Sequence, residues 1–418
     1  MPERQGGPPT IALVVVVAMV AVIPFLGIPD LIEAFRSGRG ALYLLESRLG
    51  GARASTKLLF LREVLLFIFT GILFLRLSLR ARLVPRVRTV PAFLLCLASS
   101  LAVSFMLYPP IVGLSGLRQL TYLTMVYSLY FMRTEADRVE HLFVRSLVFV
   151  AVCEFIPALI ETALLSQPED NALLGPRVFG TFNDPNTLGI AFAAITFCVL
   201  FLGRSSRFTT ASVVAMGIVS ELLSGSRTGM VAVVFVLAAF VFSKLRHLES
   251  RGMLVTFAII MILPLYYSLA ILSGREGATA PMQDPRVEIF RQQTEGKGLG
   301  ELLIGRGLGV GTSTLYALGH ERTDVEDLMR ILDSTYISLI VQIGFIGLGL
   351  FLLTFASLSA RCGFAGWVLY GLMLIVGING NVLEYYPFNL VVAAAYGILW
   401  GKREQMKWAM FTADGETC

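Results

Sequence analysis

The stretch Thr335-YISLIVQIGFIGLGLFLLTF-Ala356 contains no charged side chain from end to end. A helix needs about 20 mostly apolar residues to cross the hydrocarbon core of a bilayer, and this run is long enough. Segments of the same kind, some shorter, recur at 10–29, 58–77, 91–108, 116–132, 143–165, 187–203, 210–224, 229–243, 253–273, 365–380 and 386–401. The pair 210–224 and 229–243 also reads as one broken span. Whole-chain composition agrees: 56% of the 418 residues are hydrophobic and 15% charged, with a mean hydropathy of +0.74. Soluble domains carry about 25% charged residues, so this is not an ordinary water-facing surface. The reading is an all-α, polytopic transmembrane helix bundle of about 12 spans. It forms a single transmembrane domain over residues 1–418, with no composition break to mark a linker.

A net charge of +5 and a pI near 9.0 raise the question of nucleic acid. The distribution answers it, because Arg and Lys gather in short runs between apolar segments. Arg76, Arg80, Arg82, Arg86 and Arg88 occupy one such run, Lys244, Arg246 and Arg251 another, and Lys402, Arg403 and Lys407 the tail. With a cytoplasmic N-terminus, every expected inside loop is basic, as the positive-inside rule requires. The basic stretch 30–57 falls outside on this count, and reads as an amphipathic segment on the bilayer surface. The five cysteines show no spacing for zinc, a redox pair or a disulfide framework. The first apolar run lacks a small-residue cleavage site and is followed by more spans, so a retained helix is expected rather than a signal peptide. No cofactor, metal or nucleic-acid partner is expected.

The longest expected outside segments, about 166–186 and 274–333, are also the least apolar. Loops this long are usually functional or disordered, and helix-like stretches inside 274–333 predict partial order. Four clusters with chemical potential lie at or beside these loops, all on the expected outer face. The first, Arg177-Val-Phe-Gly-Thr-Phe-Asn183-Asp184-Pro185-Asn186-Thr-Leu-Gly189, opens the sixth span. Its plain account is an N-cap followed by Pro in the first helical position. Its functional account is a set of Asn side chains and free helix N–H groups facing an anionic or hydroxyl-rich ligand. The second, Ser224-Gly-Ser-Arg227-Thr-Gly229, is a very short turn between apolar runs. Snorkelling explains Arg227 plainly; an Arg among small residues at a membrane boundary is also a candidate functional site.

The third cluster runs Asp284-Pro-Arg286-Val-Glu288-Ile-Phe290-Arg291, then Leu303-Ile-Gly-Arg-Gly-Leu-Gly-Val-Gly311. The glycines lack the strand and βα unit of a nucleotide loop, so tight turns of a re-entering loop are expected. The fourth is His320-Glu-Arg-Thr-Asp324-Val-Glu326-Asp327, followed by Asp333-Ser-Thr-Tyr336. Asp333 is either an N-cap or a general base at a cavity mouth. His320, alone in its loop, is an equal candidate for the base. Within the spans, Arg62, Glu63, Glu154, Glu161 and Glu221 must face the bundle interior or one another. Glu154 and Glu161 share a helix face. For Glu221, a structural pair with Arg227 weighs equally with a transport relay.

In this order the clusters resemble the O-antigen ligase and O-antigen polymerase superfamily of bacterial cell envelopes. The matching stretches are Gly180-Thr-Phe-Asn-Asp-Pro-Asn186, Ser224-Gly-Ser-Arg-Thr-Gly229, Arg286 with Phe290, Ile304-Gly-Arg-Gly-Leu-Gly309, and Asp333-Ser-Thr-Tyr-Ile337 running into Gly344-Phe-Ile-Gly-Leu-Gly349. They cover roughly residues 170–400. The resemblance implies a glycosyltransferase-C-like bundle whose external 274–333 loop covers the active site. It implies a glycan donor on undecaprenyl diphosphate at the outer face of the bacterial cytoplasmic membrane, where an acceptor sugar hydroxyl displaces the lipid diphosphate. Arg227, Arg286 and Arg177 would hold the diphosphate, and Asn183, Asn186, Glu288 and Tyr336 the glycan. A chain-length regulator protein is a family-level partner. Where the ligase branch places a His, this chain has Asp333 and Ser334, which favours polymerase over ligase. A transporter or lipid flippase is the competing class, suggested by the spans and the intramembrane Glu residues. The long external loop and the lack of paired interrupted helices in the two halves count against it.

Overall fold

A computed structural model of the chain describes residues 9–25, 28, 32, 36, 56–80, 87–164, 178, 180–182, 185–203, 205–245, 290–291, 294–295, 297–312 and 334–415. All regular structure among the described residues is helical. The elements are α1 (Pro9–Val22), α2 (Thr56–Arg80), α3 (Thr89–Leu107), α4 (Pro110–Phe131), α5 (Ala136–Leu164) and α6 (Pro185–Phe201). Then follow α7 (Arg207–Ser224), α8 (Arg227–Leu245), α9 (Leu299–Ile304), α10 (Thr335–Cys362), α11 (Phe364–Asn379) and α12 (Phe388–Gly415). Every expected apolar segment that falls on described residues is helical, and 210–243 divides into two helices at Gly225. The span expected over 253–273, and most of 30–57 and 274–333, lie outside the described residues.

Among the described residues, four helical stretches are long and apolar enough to cross a membrane: Thr89–Leu107, Arg133–Ala163, Arg227–Lys244 and Thr335–Cys362. Large apolar side chains also stand uncovered where a soluble protein would carry charge. Phe67 is 79% exposed and Phe74, two turns further along α2, 74% exposed; on α3, Leu95 is 70% and Met106 82% exposed. Apolar surface of this kind is stable against lipid rather than water.

The chain forms two compact units. The first comprises Met1–Val84, Thr121–Val233 and Leu390–Cys418, the second Pro85–Leu120 and Val234–Asn389. In the first, α1 packs on α2 and α5, and α7 packs on α5 and α6. Its core includes the fully buried Met19, Phe69, Phe143, Phe192, Phe197, Tyr396 and Trp400. The Trp400 ring lies 4.2 Å from that of Tyr130 and 5.7 Å from that of Tyr127. Two residues along α12, the Lys402 ammonium pairs with Glu140, which is buried, and with Asp137 at 3.8 Å.

In the second unit α10 packs against α3, α9 and α11. This helix is broken at Gly344, where φ is +69° and ψ −179°. A break frees carbonyls of the preceding turn, and in apolar surroundings each freed group needs a protein partner. The glycine-rich segment after α9 supplies them. Arg306 N–H donates to the Val341 carbonyl at 2.8 Å and Gly307 N–H to that of Gln342 at 3.2 Å. Ser100 Oγ of α3 donates to the same Gln342 carbonyl at 2.7 Å. Gly309 N–H in turn donates to Gln342 Oε1 at 2.9 Å, while Gln342 Nε2 donates to Ser338 Oγ at 2.7 Å. The glycines therefore make the tight turns expected of them, with φ positive at residues 305, 307, 309 and 311. A Cβ at Gly344 would also collide with the Leu303 carbonyl oxygen.

Gly344→Ala should therefore cost about 2 kcal/mol, combining left-handed backbone strain with the clash. Gly349→Ala is the control on the same helix, since nothing lies within 4 Å of its would-be Cβ. Thermal unfolding of the detergent-solubilised protein should drop by several degrees for the first and not for the second.

Candidate functional site in the first unit

The turn between α7 and α8 is built from its own small residues. Gly225 ends α7 in the left-handed conformation (φ +59°, ψ +25°), with its N–H donating to the Glu221 carbonyl at 3.0 Å. Glycine carries no penalty there, which is why it so often follows a helix end. Ser226 then starts α8: its Oγ accepts from Gly229 N–H at 3.1 Å, and its own N–H donates to Ser224 Oγ at 3.2 Å. Arg227 is thereby fixed at the first position of α8, half-buried.

The segment before α6 is held by different means. Thr181 N–H donates to Glu154 Oε2 at 2.9 Å, and the Thr181 hydroxyl donates to Glu154 Oε1. Gly180 N–H donates to Glu161 Oε2 at 3.3 Å. Both carboxylates project from one face of α5, as their seven-residue spacing predicts, and both are buried. A buried hydrogen bond contributes about 0.5–1.5 kcal/mol net, and the three together anchor the segment. Val178 N–H donates to the Leu223 carbonyl at 3.3 Å, tying the same segment to the end of α7.

These anchors bring the first two sequence clusters together. α6 begins at Pro185, with half-buried Asn186 in its first turn. A Cβ at Gly189 would lie 2.7 Å from Ser226 Cβ and 3.0 Å from Ser226 Oγ. The N-terminal turns of α6 and α8 therefore meet, with Arg227 on one and Asn186 on the other. Two helix N-termini and a guanidinium form an electropositive corner suited to an anion. Beneath it lies Glu221, 2% exposed. Its carboxyl abuts Gly189 and Gly229, where any side chain would collide with it. Neither carboxyl oxygen has a hydrogen-bond partner among the described residues, so the pair with Arg227 is not formed.

The other expected site residues divide differently. Tyr336, in the second unit, donates its hydroxyl to the Leu374 carbonyl at 2.8 Å and so ties α10 to α11. Its neighbour Thr335 donates to the Gly380 carbonyl at 2.7 Å and accepts from Val382 N–H at 2.8 Å. Arg177, Asn183, Arg286, Glu288, His320 and Asp333 lie outside the described residues, as do the side chains of Arg62 and Glu63. Two cations absent from the expected site, Lys297 and Arg306, line a small cleft in the second unit with Thr294 and Glu301, above Ile340 and Val341. The Gly-Arg-Gly spacing around Arg306 was their only sequence signal.

The anchoring role of Glu154 gives a direct test. Glu154→Ala should destabilise the protein by about 2–3 kcal/mol, because the Thr181 N–H and hydroxyl both lose their acceptor in a buried position. A Glu154→Ala, Thr181→Ala double-mutant cycle in thermal unfolding should show coupling of about 1 kcal/mol or more; additivity would mean the bond holds nothing.

No protein-family model matches the sequence, and no curated protein is detectably similar to it.

Proposed function

We propose that the chain is a membrane-embedded glycosyltransferase of the polysaccharide-polymerase type. It would act on glycan linked to undecaprenyl diphosphate, at the outer face of a bacterial cytoplasmic membrane. The observation that supports this reading best is the meeting of the α6 and α8 N-terminal turns around Arg227. That corner has the charge and the donors to hold a diphosphate, and the resemblance of its two motifs to the O-antigen polymerase and ligase superfamily names the chemistry. Arg227 offers forked hydrogen bonds to phosphate oxygens, and the positive ends of two helix dipoles add to its field.

In the proposed reaction an acceptor sugar hydroxyl attacks the anomeric carbon of the donor glycan. The bond from that carbon to the diphosphate oxygen breaks, and its electron pair leaves with the lipid diphosphate. Charge builds on the leaving group, so Arg227, with Arg177, would stabilise the transition state more than the ground state. Asp333 and His320 remain the two candidates for the base. A ligase transfers the finished polymer instead, to a lipid or protein acceptor, and the same corner serves either reaction.

Purified protein given a defined lipid-linked repeat unit should elongate it. Arg227→Ala should slow turnover by about 100-fold or more, Arg227→Lys should recover only part of that loss, and Arg286→Ala should behave like Arg227→Ala. Normal elongation by Arg227→Ala would remove the diphosphate assignment. In cells, a clean deletion should leave single-repeat product; accumulation of long lipid-linked polymer would favour the ligase reading, and unchanged polymer would sink both.

A further inference from the structure

Among the described residues the first unit contains four buried carboxyl side chains on α5 and α7, and they are not alike: Glu140 pairs with Lys402. Glu154 and Glu161 hold backbone donors of the 180–181 turn. Glu221 holds nothing among the described residues, although donors surround it. Those donors are already committed. Gly225 N–H and Ser224 Oγ go to the Glu221 backbone carbonyl, Ser226 N–H to Ser224 Oγ, and Gly229 N–H to Ser226 Oγ. The sequence nevertheless keeps the carboxyl, and it places glycine at both positions, 189 and 229, where a side chain would evict it. A buried polar group without a partner costs stability, so its presence at this spot needs a gain elsewhere.

We infer that Glu221 is a ligand-binding residue of this corner and receives a hydroxyl of the sugar attached to the diphosphate. The inference rests on the diphosphate reading of Arg227. A diphosphate carries only acceptors and brings nothing that a carboxyl oxygen can accept. The ligand group covalently next to a diphosphate in a lipid-linked glycan is a sugar ring, which is rich in O–H donors. Glu221 lies one helix turn before the α7–α8 turn and abuts the cap residue Ser226 through Gly189. It is therefore placed beside the anion corner rather than across the bundle from it. No hydrogen bond to a described residue is broken when its side chain turns to meet a ligand. The division of labour is then Arg227 for phosphate and Glu221 for sugar.

The test uses the purified full-length protein in lipid nanodiscs, with two probes: undecaprenyl diphosphate alone and undecaprenyl diphosphate carrying the glycan. Glu221→Met, similar in size and apolar, should bind the glycan-bearing lipid about 10-fold to 100-fold more weakly, yet bind the bare lipid diphosphate like the wild type. Arg227→Ala should weaken both. Without ligand, Glu221→Met should melt at the same temperature as wild type or a few degrees higher, because an unpartnered buried acid has been replaced by apolar surface; a structural role predicts a lower melting temperature. Unchanged glycan-lipid binding by Glu221→Met, or equal losses for both lipids, would overturn this inference and leave the Arg227 reading intact. Failure of the wild type to bind either lipid would overturn the glycosyltransferase reading and this inference with it.

Discussion

A chain surrounded by apolar material has no water to satisfy a backbone N–H or carbonyl that leaves a helix. Each departure from helical geometry must therefore be matched by a partner from the protein itself. Three departures dominate the described residues, and each finds its partners differently. The α7–α8 turn is closed largely from within: Gly225 N–H reaches the Glu221 carbonyl, Ser226 N–H the Ser224 hydroxyl and Gly229 N–H the Ser226 hydroxyl. The turn before α6 borrows two carboxylates from α5. The break at Gly344 is mended from a distance, by the backbone N–H groups of Arg306 and Gly307 and the Ser100 hydroxyl of α3. Helix α10 bends where a loop stands ready to receive its carbonyls, and the loop has a fixed shape because it is held there.

These solutions also decide which parts of the molecule are free for chemistry. Hydrogen bonds that close a turn are consumed, and what they leave unconsumed stands out. In the α7–α8 turn the small side chains and most N–H groups are spent on capping. The carboxyl of Glu221 has no part in that capping. At the Gly344 break, by contrast, a chain of hydrogen bonds links Ser100, Gln342, Ser338 and Asn381. A buried polar network of this type fixes geometry.

Much of this was legible in the sequence. The apolar runs marked the helices, and Gly225 followed by Ser226 marked one helix stopping and another starting. Pro185 marked the first residue of α6, and the glycines at 305–311 marked turns. The seven-residue spacing of Glu154 and Glu161 placed them on one face. Spacing along a helix says nothing about which distant turn meets that face, so their partnership with Gly180 and Thr181 was not legible. Nor was the nesting of Glu221 against Gly189, which depends on two helices packing at a particular register. Sequence proximity suggested that Glu221 pairs with Arg227. The intervening Gly225–Ser226 turn instead leaves the carboxyl against Gly189 and Gly229 and the guanidinium on the first turn of α8.

That separation bears on the plain account of Arg227, in which the side chain merely snorkels. A helix N-terminus carries about half a positive charge, and cations are favoured at the opposite end. At the first position of α8, with the start of α6 alongside, Arg227 stands at the less favourable end of two helix dipoles. Each misplacement costs about 0.3–1 kcal/mol at an exposed surface and more where the site is partly buried. By the dipole contribution alone, the C-terminal turns of the same helices would suit a snorkelling arginine better. An anion bound at the corner reverses the sign of every one of these terms: the guanidinium and both helix starts then attract it together. In dipole terms the corner disfavours a lone cation and favours a bound anion, and this asymmetry is the physical reason for proposing the ligand there.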